Sequence, residues 1–304
     1  MKQKKGRQLI CILTGLLLLI VMAGCGDPRS PMSEYNSGEE DFVQESSGPE
    51  EIPAETEKVI EWNDAWQYAS SSEIHTDHVT LYYAGRGRRG ITVAVNAGHG
   101  TENGTAIKTM CHPDGSPKVT GGSTGKGELM ASAVSTGTSL LDGTPERSVT
   151  LDLARIMKEE LLKAGYDVLM IREDEDVQLD NIARTVFANN CADCHISLHY
   201  DSTESDKGLF YISVPDVPSY RSMEPVASHW TEHLALGEAV LSGMKKCNVP
   251  IYQGGSIPLD LTQTSYSTVP SIDLEVGDRA SDHSRDTLLT ITEGLLAGLE
   301  EFFQ

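Results

Sequence analysis

From residue 91 onward the chain alternates between segments that read as strands and segments that read as helices. That order constrains the fold more than any other feature of the sequence. Residues 91–95 are an apolar, β-branched run. Thr144 and Pro145 then read as an N-cap with proline at the first helical position. Val149, Leu153, Ile156, Met157 and Leu161 follow at helical spacing, and Gly165 closes the helix. Residues 166–171 read as a strand, Asp180 caps a helix to about Asn190, and 196–199 is another strand. A helix over 228–246, a strand over 271–276 and an amphipathic helix over 285–303 complete the pattern. Such alternation predicts an α/β fold: a single twisted, mostly parallel or mixed sheet with helices on both faces. With 304 residues, 39% of them hydrophobic, the chain is long enough to bury a sizeable core.

The first sixty residues read differently. Lys2, Lys4, Lys5 and Arg7 precede an apolar run over 9–23 that is short for a membrane span, the pattern of a secretory signal. Its end, Val21-Met22-Ala23-Gly24-Cys25, resembles a bacterial lipobox. That resemblance implies cleavage before Cys25, lipidation of its thiol, and an extracytoplasmic protein anchored to the membrane and facing the wall. Between Ser33 and Glu61 stand ten acids and one base, Lys58, among Ser, Gly and Pro. A segment so poor in large apolar residues cannot offset its ordering entropy and reads as a disordered tether. The expected division is a signal peptide over 1–24, a tether over 25–61, a lead-in over 62–90, and a main domain over 91–304 with an insertion at about 101–143.

Charge and cysteines narrow the function. The formal net charge is −21, and residues 62–304 alone carry 18 Lys and Arg against 34 Asp and Glu. An acidic surface repels phosphates, so no nucleic-acid partner is expected. Cys111, Cys191, Cys194 and Cys247 remain once Cys25 is lipidated, and four thiols allow three pairings. Cys191-Ala-Asp-Cys194 has redox spacing. It reads more simply as a local disulfide or as two small core residues. The insertion is rich in Gly, Ser and Thr but lacks GxxxxGK[ST], the phosphate-cradling loop.

Polar residues fall where open α/β sheets carry their sites, at the carboxyl ends of strands. His99 follows the first strand between Gly98 and Gly100, His199 ends the strand at 196–199, and Glu275 sits near the end of the strand at 271–276. Glu146 opens a helix. Two His and one Glu make a zinc set with a fourth position left for water, and a further carboxylate can take that water's proton. Each residue also has a plainer reading. His99 can be a turn residue, Glu146 a helix-dipole partner, His199 a hydrogen-bonded strand end and Glu275 an ion-pair partner.

Taken together in order, these blocks resemble the zinc-dependent N-acetylmuramoyl-L-alanine amidases of the type-3 family. The resemblance runs through Val95-Asn-Ala-Gly-His99-Gly100, through Glu146 opening a helix that leads to a strand ending in Arg172, through Arg184, Ala188-Asn189 and Ser197-Leu-His199, and through Glu275-Val-Gly277. It covers about residues 91–304. The family commonly has Asp-Pro where this chain has Asn96-Ala97, and Ala-Asn where it has Tyr200-Asp201. The resemblance implies one zinc ion per chain held by His99, Glu146 and His199, with Glu275 as the catalytic carboxylate. It also implies substrate-binding or supporting roles for Arg172, Arg184, Asn189 and Ser197. The implied reaction is hydrolysis of the peptidoglycan amide that joins the muramic acid lactyl group to L-alanine. Because both ends of the insertion abut expected ligands, it is expected to border the site.

Two other readings compete. His229-Trp-Thr-Glu-His233 spells H-x-x-E-H on an expected helix, the pattern of a metallopeptidase with zinc on His229 and His233 and Glu232 as base. The other is an inactive wall-binding lipoprotein, against which the intact ligands and Glu275 argue.

Overall fold

A computed structural model describes residues 56–304. The expected signal peptide, Cys25 and most of the expected tether lie outside the described residues. The elements in chain order are β1 (Glu57–Ile60), β2 (Val79–Tyr82), β3 (Thr92–Ala97), β4 (Lys108–Met110), β5 (Met130–Ser132), α1 (Glu146–Lys163), β6 (Asp167–Met170), α2 (Asn181–Cys191) and β7 (Cys194–Asp201). There follow β8 (Leu209–Ser213), α3 (Pro218–Arg221), α4 (Val226–Lys246), β9 (Ile251–Pro258), α5 (Thr262–Tyr266), β10 (Ser271–Asp278) and α6 (Arg285–Phe302).

Eight strands form one mixed sheet in the order β1-β2-β6-β3-β7-β10-β8-β9. Its centre, β6-β3-β7-β10, is parallel. Strands β2 and β8 flank that centre antiparallel to β6 and β10. The central strands are apolar on both faces because both are covered, which is why β6 reads Asp-Val-Leu-Met with every residue buried. One face packs Val93, Val95, Ile196, Leu198, Ile272 and Leu274 against α1, α4 and α6. The other packs Ala94, Leu169 and Ile171 against Ala183 and Phe187 of α2. Consecutive crossovers thus take opposite faces, and the chain leaves β3 at the point where its neighbours β6 and β7 lie on either side. That topological switch point is where His99 stands.

Helix α1 begins one residue later than the Thr-Pro pair suggests. Pro145 is the N-cap, in extended conformation, and its carbonyl accepts from Ser148 and Val149. The Thr144 carbonyl is taken instead by the Leu140 N–H. Asp180 caps α2 as expected, accepting from the Ala183 N–H at 2.7 Å.

Strand β1 lies inside the segment read as tether. Lys58 and Val59 pair with Leu81 and Thr80 of β2, so the folded part starts before residue 62. The lead-in also joins the core. Trp62 and Trp66 pack edge-on against Phe187, with ring centroids 5.5 and 5.4 Å away. Cys111, Cys191, Cys194 and Cys247 are all free thiols, with Cys111 and Cys194 buried.

The insertion carries its own hairpin, β4 with β5. It is fastened to the segment before α5 through buried Asp260. That carboxylate accepts from His112 Nε2 (3.1 Å), Lys118 Nζ (3.0 Å), the Val119 N–H (2.6 Å) and the Thr120 hydroxyl. Among the described residues no helix is long and apolar enough to cross a membrane.

Candidate active site

The turn after β3 is held in an uncommon conformation. His99 has φ +64° and Gly100 φ +71°, the left-handed region that a histidine enters only when its surroundings impose it. Two buried guanidinium groups impose it here. Arg184 donates to the carbonyls of Ala97 (3.0 Å) and His99 (2.6 Å) and to Asn96 Oδ1 (3.0 Å). Arg172 donates to the carbonyls of Ala97 (3.1 Å) and Gly98 (3.0 Å). Among the described residues neither has a carboxylate within hydrogen-bonding reach. Burial therefore pulls both below the usual arginine value, Arg172 to about 10 and Arg184 to about 9, and both remain cationic at neutral pH. Gly98 is required by the same crowding: a Cβ there would lie 2.3 Å from the His199 ring.

A polar chain continues beneath the turn. Asn96 donates to Ser197 Oγ at 2.8 Å, Ser197 donates to Gln263, and Gln263 donates to Ser271 Oγ at 2.8 Å. Ser197 thus ties β7 to α5 and β10 below His199. Asn189 is elsewhere. It donates to the Tyr266 carbonyl (2.9 Å) and accepts from the Thr268 N–H (2.8 Å), which places it by the start of β10 rather than its end. The structure does not bring it to the cluster. Helix α2 begins near the carboxyl ends of the strands and finishes at their opposite ends, so a residue in its last turn points away from the site.

His99, Glu146 and His199 converge. Their donor atoms all lie within 4.8 Å of one another, the one such grouping of His, Cys, Asp and Glu among the described residues. His99 Nε2 is 2.9 Å from Glu146 Oε1, and His199 Nδ1 is 3.0 Å from His99 Nε2 and 3.2 Å from Glu146 Oε1. The outward atoms decide the tautomers. His99 Nδ1 faces the Ser135 carbonyl at 2.8 Å. A carbonyl only accepts, so Nδ1 carries the proton and Nε2 turns a lone pair inward. His199 Nε2 faces the Asp273 carboxylate at 3.6 Å, which favours the proton on Nε2 and a lone pair on Nδ1. Glu146 is fixed from both sides, by the Thr138 N–H on Oε2 (2.8 Å) and the Tyr200 N–H on Oε1 (3.0 Å).

Three lone pairs thus face a common point, which calls for a cation there. In the protein alone that demand falls on His199. Burial opposes its charge, but Asp273, Glu146 and Glu275 outweigh burial and raise it to about 10. Burial likewise works to raise Glu146, yet the His199 and His99 rings beside it hold it well below the ordinary carboxylate range.

Two further carboxylates lie on the same face of β10. Glu275 stands opposite His199 in register, and Asp273 stands opposite Ser197. Burial, and then the charge of Asp273, push Glu275 well up. Its Oε2 is buried without a hydrogen-bond partner.

The insertion reaches the site through residues that carry no chemical signal in the sequence. Thr138 acts through its backbone N–H, and Ser135 through its carbonyl at 2.8 Å and its hydroxyl at 3.1 Å from His99 Nδ1. At Gly137, with φ +81°, a Cβ would lie 2.7 Å from His99 Cδ2 and 3.0 Å from Glu146 Oε2. Only a glycine at the start of a close backbone approach would have hinted at this.

The competing histidine pair does not converge. His229 pairs with Glu232 at 3.0 Å on the surface of α4. His233 is buried, and its Nδ1 accepts from the Ser271 N–H at 2.9 Å. One lone pair is already spent and the Glu faces solvent, so H-x-x-E-H is here a helix-packing pattern rather than a metal set.

A mixed α/β sheet with two His at the carboxyl ends of its strands and a Glu opening α1 beside them defines the class: a hydrolase-type domain with a three-donor centre. The family model for N-acetylmuramoyl-L-alanine amidase matches residues 93–288, and the chain belongs to that family. Its members are peptidoglycan amidases, and this is an enzyme of that type. No curated protein matches the chain. Among solved structures, the N-acetylmuramyl-L-alanine amidase Ami1 from Mycobacterium smegmatis is similar with TM-score 0.57 and 17% identity, over 70% of this chain and 96% of that one. Ami1 from Mycobacterium abscessus gives 0.56 and 17%, over 71% and 99%. The amidase AmiC2 of Nostoc punctiforme gives 0.51 and 17%, over 72% and 99%. At these identities the likeness is one of fold.

Proposed function

We propose that the chain is a zinc-dependent, lipid-anchored peptidoglycan hydrolase. It cleaves the amide between the lactyl group of N-acetylmuramic acid and L-alanine on the outer side of the membrane. The observation that carries the zinc reading is the convergence of three lone pairs, from His99 Nε2, Glu146 Oε1 and His199 Nδ1. Two imidazoles and one carboxylate suit borderline-soft zinc and leave a position open. The Gly24-Cys25 junction after a charged and apolar leader supports the anchor.

A bound zinc ion would acidify water and polarise an amide carbonyl. The chain's own residues supply the rest. Arg172 and Arg184 hold the His99 turn rigid, Ser135 and Thr138 orient His99 and Glu146, and Asn96 and Ser197 brace the neighbouring strands. Glu275, kept basic by burial beside Asp273 and free of hydrogen bonds at Oε2, takes the proton of the attacking water. It then delivers that proton to the leaving nitrogen of L-alanine.

The test is metal content. The purified full chain should hold about one zinc, as a three-ligand site does. His99→Ala and His199→Ala should lose it and His229→Ala should keep it. Zinc lost from His229→Ala and retained by His99→Ala would move the site to α4.

A further inference from the structure

All three proposed ligands are fixed by an atom behind them, and the three holders differ in kind. His99 is held by the Ser135 backbone carbonyl at 2.8 Å, with the Ser135 hydroxyl at 3.1 Å beside it, and Glu146 by two backbone N–H groups at 2.8 and 3.0 Å. His199 has a side-chain carboxylate behind it, Asp273, 3.6 Å from Nε2. Backbone groups cannot be lost by mutation, whereas the holder of His199 is a single replaceable residue.

Asp273 is well placed for this and poorly placed for catalysis. It lies on the same face of β10 as Glu275 but one pleat further from the strand's end, opposite Ser197 rather than His199. Its carboxylate meets the ring nitrogen that faces away from His99 and Glu146, so the imidazole stands between Asp273 and the point where the lone pairs converge. A carboxylate there has a cost, because it is largely enclosed, beside Glu275, and two like charges repel. Of the groups around it, the His199 ring is the one it faces at ion-pair distance. At 3.6 Å the contact is an ion-pair approach rather than a formed hydrogen bond.

We propose that Asp273 is a positioning residue for the metal centre: it holds the Nε2–H of His199, so that Nδ1 presents its lone pair, and it strengthens that nitrogen as a ligand. The inference rests on the zinc reading above and deepens it. Groups that hold a ligating histidine from behind typically contribute about 10–100-fold in metal affinity. Asparagine in the same place still offers an oxygen to Nε2–H but no charge, and leucine offers neither.

The experiment measures zinc affinity of the full chain by competition with a chromophoric chelator, for wild type, Asp273→Asn and Asp273→Leu. Unfolding of each metal-free protein is followed in parallel. The expected result is a graded loss, about tenfold for Asp273→Asn and about a hundredfold for Asp273→Leu. The loss should fall on zinc affinity far more than on turnover at saturating zinc. Asparagine's partial rescue separates an orienting role from mere filling of space, and because it matches aspartate in size it keeps the test valid if the leucine variant does not fold. Wild-type affinity in Asp273→Asn with about a hundredfold loss of turnover would overturn the inference and make Asp273 a proton carrier. Wild-type affinity and turnover in both variants would overturn it outright. A wild-type chain that binds no zinc would overturn the zinc reading itself, and this inference with it.

Discussion

Replacing Gly137 by alanine should damage the proposed metal site without altering a single donor. The new Cβ would lie 2.7 Å from His99 Cδ2, where ordinary contact begins near 3.4 Å, so about 0.7 Å of movement is forced. The histidine cannot give way freely, because Ser135 holds its Nδ1 and Arg184 holds its carbonyl. Glu146 Oε2, 3.0 Å from the new atom, is pinned by Thr138. Metal–ligand distances tolerate only about 0.2 Å, so a shift of this size should weaken zinc binding at least about tenfold, comparable to losing an outer-shell partner. Alanine at positive φ also costs roughly 1–2 kcal/mol wherever it occurs. Gly127, at φ +93° with nothing near its Cβ, isolates that second effect. Gly137→Ala should therefore lose at least as much thermal stability as Gly127→Ala, because the clash adds to the backbone cost, and only Gly137→Ala should lose zinc in chelator competition. Equal zinc affinity in the two would refute the claim that the insertion forms a wall of the site.

The Asp260 latch makes a second expectation. Asp260→Asn leaves Lys118 and His112 buried without their carboxylate and should cost about 3–5 kcal/mol, read as a lower unfolding midpoint. Burial tends to raise Asp260, but hydrogen bonds from His112, Thr120, Val119 and Lys118 hold it below its ordinary value. Its contribution is therefore fully present above a pH of about 3.9 and lost as pH falls towards the depressed value. The gap between wild type and variant should close only in strong acid. A third expectation concerns the amino terminus: the mature protein should partition with membranes and begin at a lipid-modified Cys25, and Cys25→Ser should leave the precursor unlipidated. A soluble wild-type protein beginning at another residue would contradict the anchor.

His99 and His199 were legible because chemistry and chain position coincide at strand ends, and Glu146 because the family pattern has a Glu opening the next helix. A β-branched run that stops before Gly98-His99-Gly100 and two strands that carry His199 and Glu275 close to their ends need only the rule that sites gather at carboxyl ends. The helices were legible from period alone. Less regular pieces were not. Strand β9, Ile-Tyr-Gln-Gly-Gly-Ser-Ile-Pro, carries two glycines and reads as a loop. Helix α5 has five residues, too few for a periodicity. Strand β1 hides in an acidic segment because only Val59 and Ile60 are apolar. Gly137 and Thr138 touch the site through backbone atoms, which leave no trace in side-chain type, and the Ser135 hydroxyl that meets His99 is one of many in the insertion. Asn189 lies by Tyr266 and Thr268, away from the cluster, because its helix runs away from the site, a fact of three-dimensional direction that a motif does not carry.

The central claim is that the three-donor centre and Glu275 together hydrolyse the muramyl amide. Its most direct test is digestion of purified peptidoglycan by zinc-loaded wild type and Glu275→Gln, with mass analysis of the fragments and counting of new L-alanine amino termini. Glutamine keeps the size of glutamate but cannot accept a proton near neutral pH. General acid–base groups contribute about 10²–10⁴-fold. The account expects free stem peptides beginning with L-alanine from the wild type, and release at least about a hundredfold slower from a variant that still holds its zinc. Cuts inside the stem peptide, or near-normal release by Glu275→Gln, would contradict it.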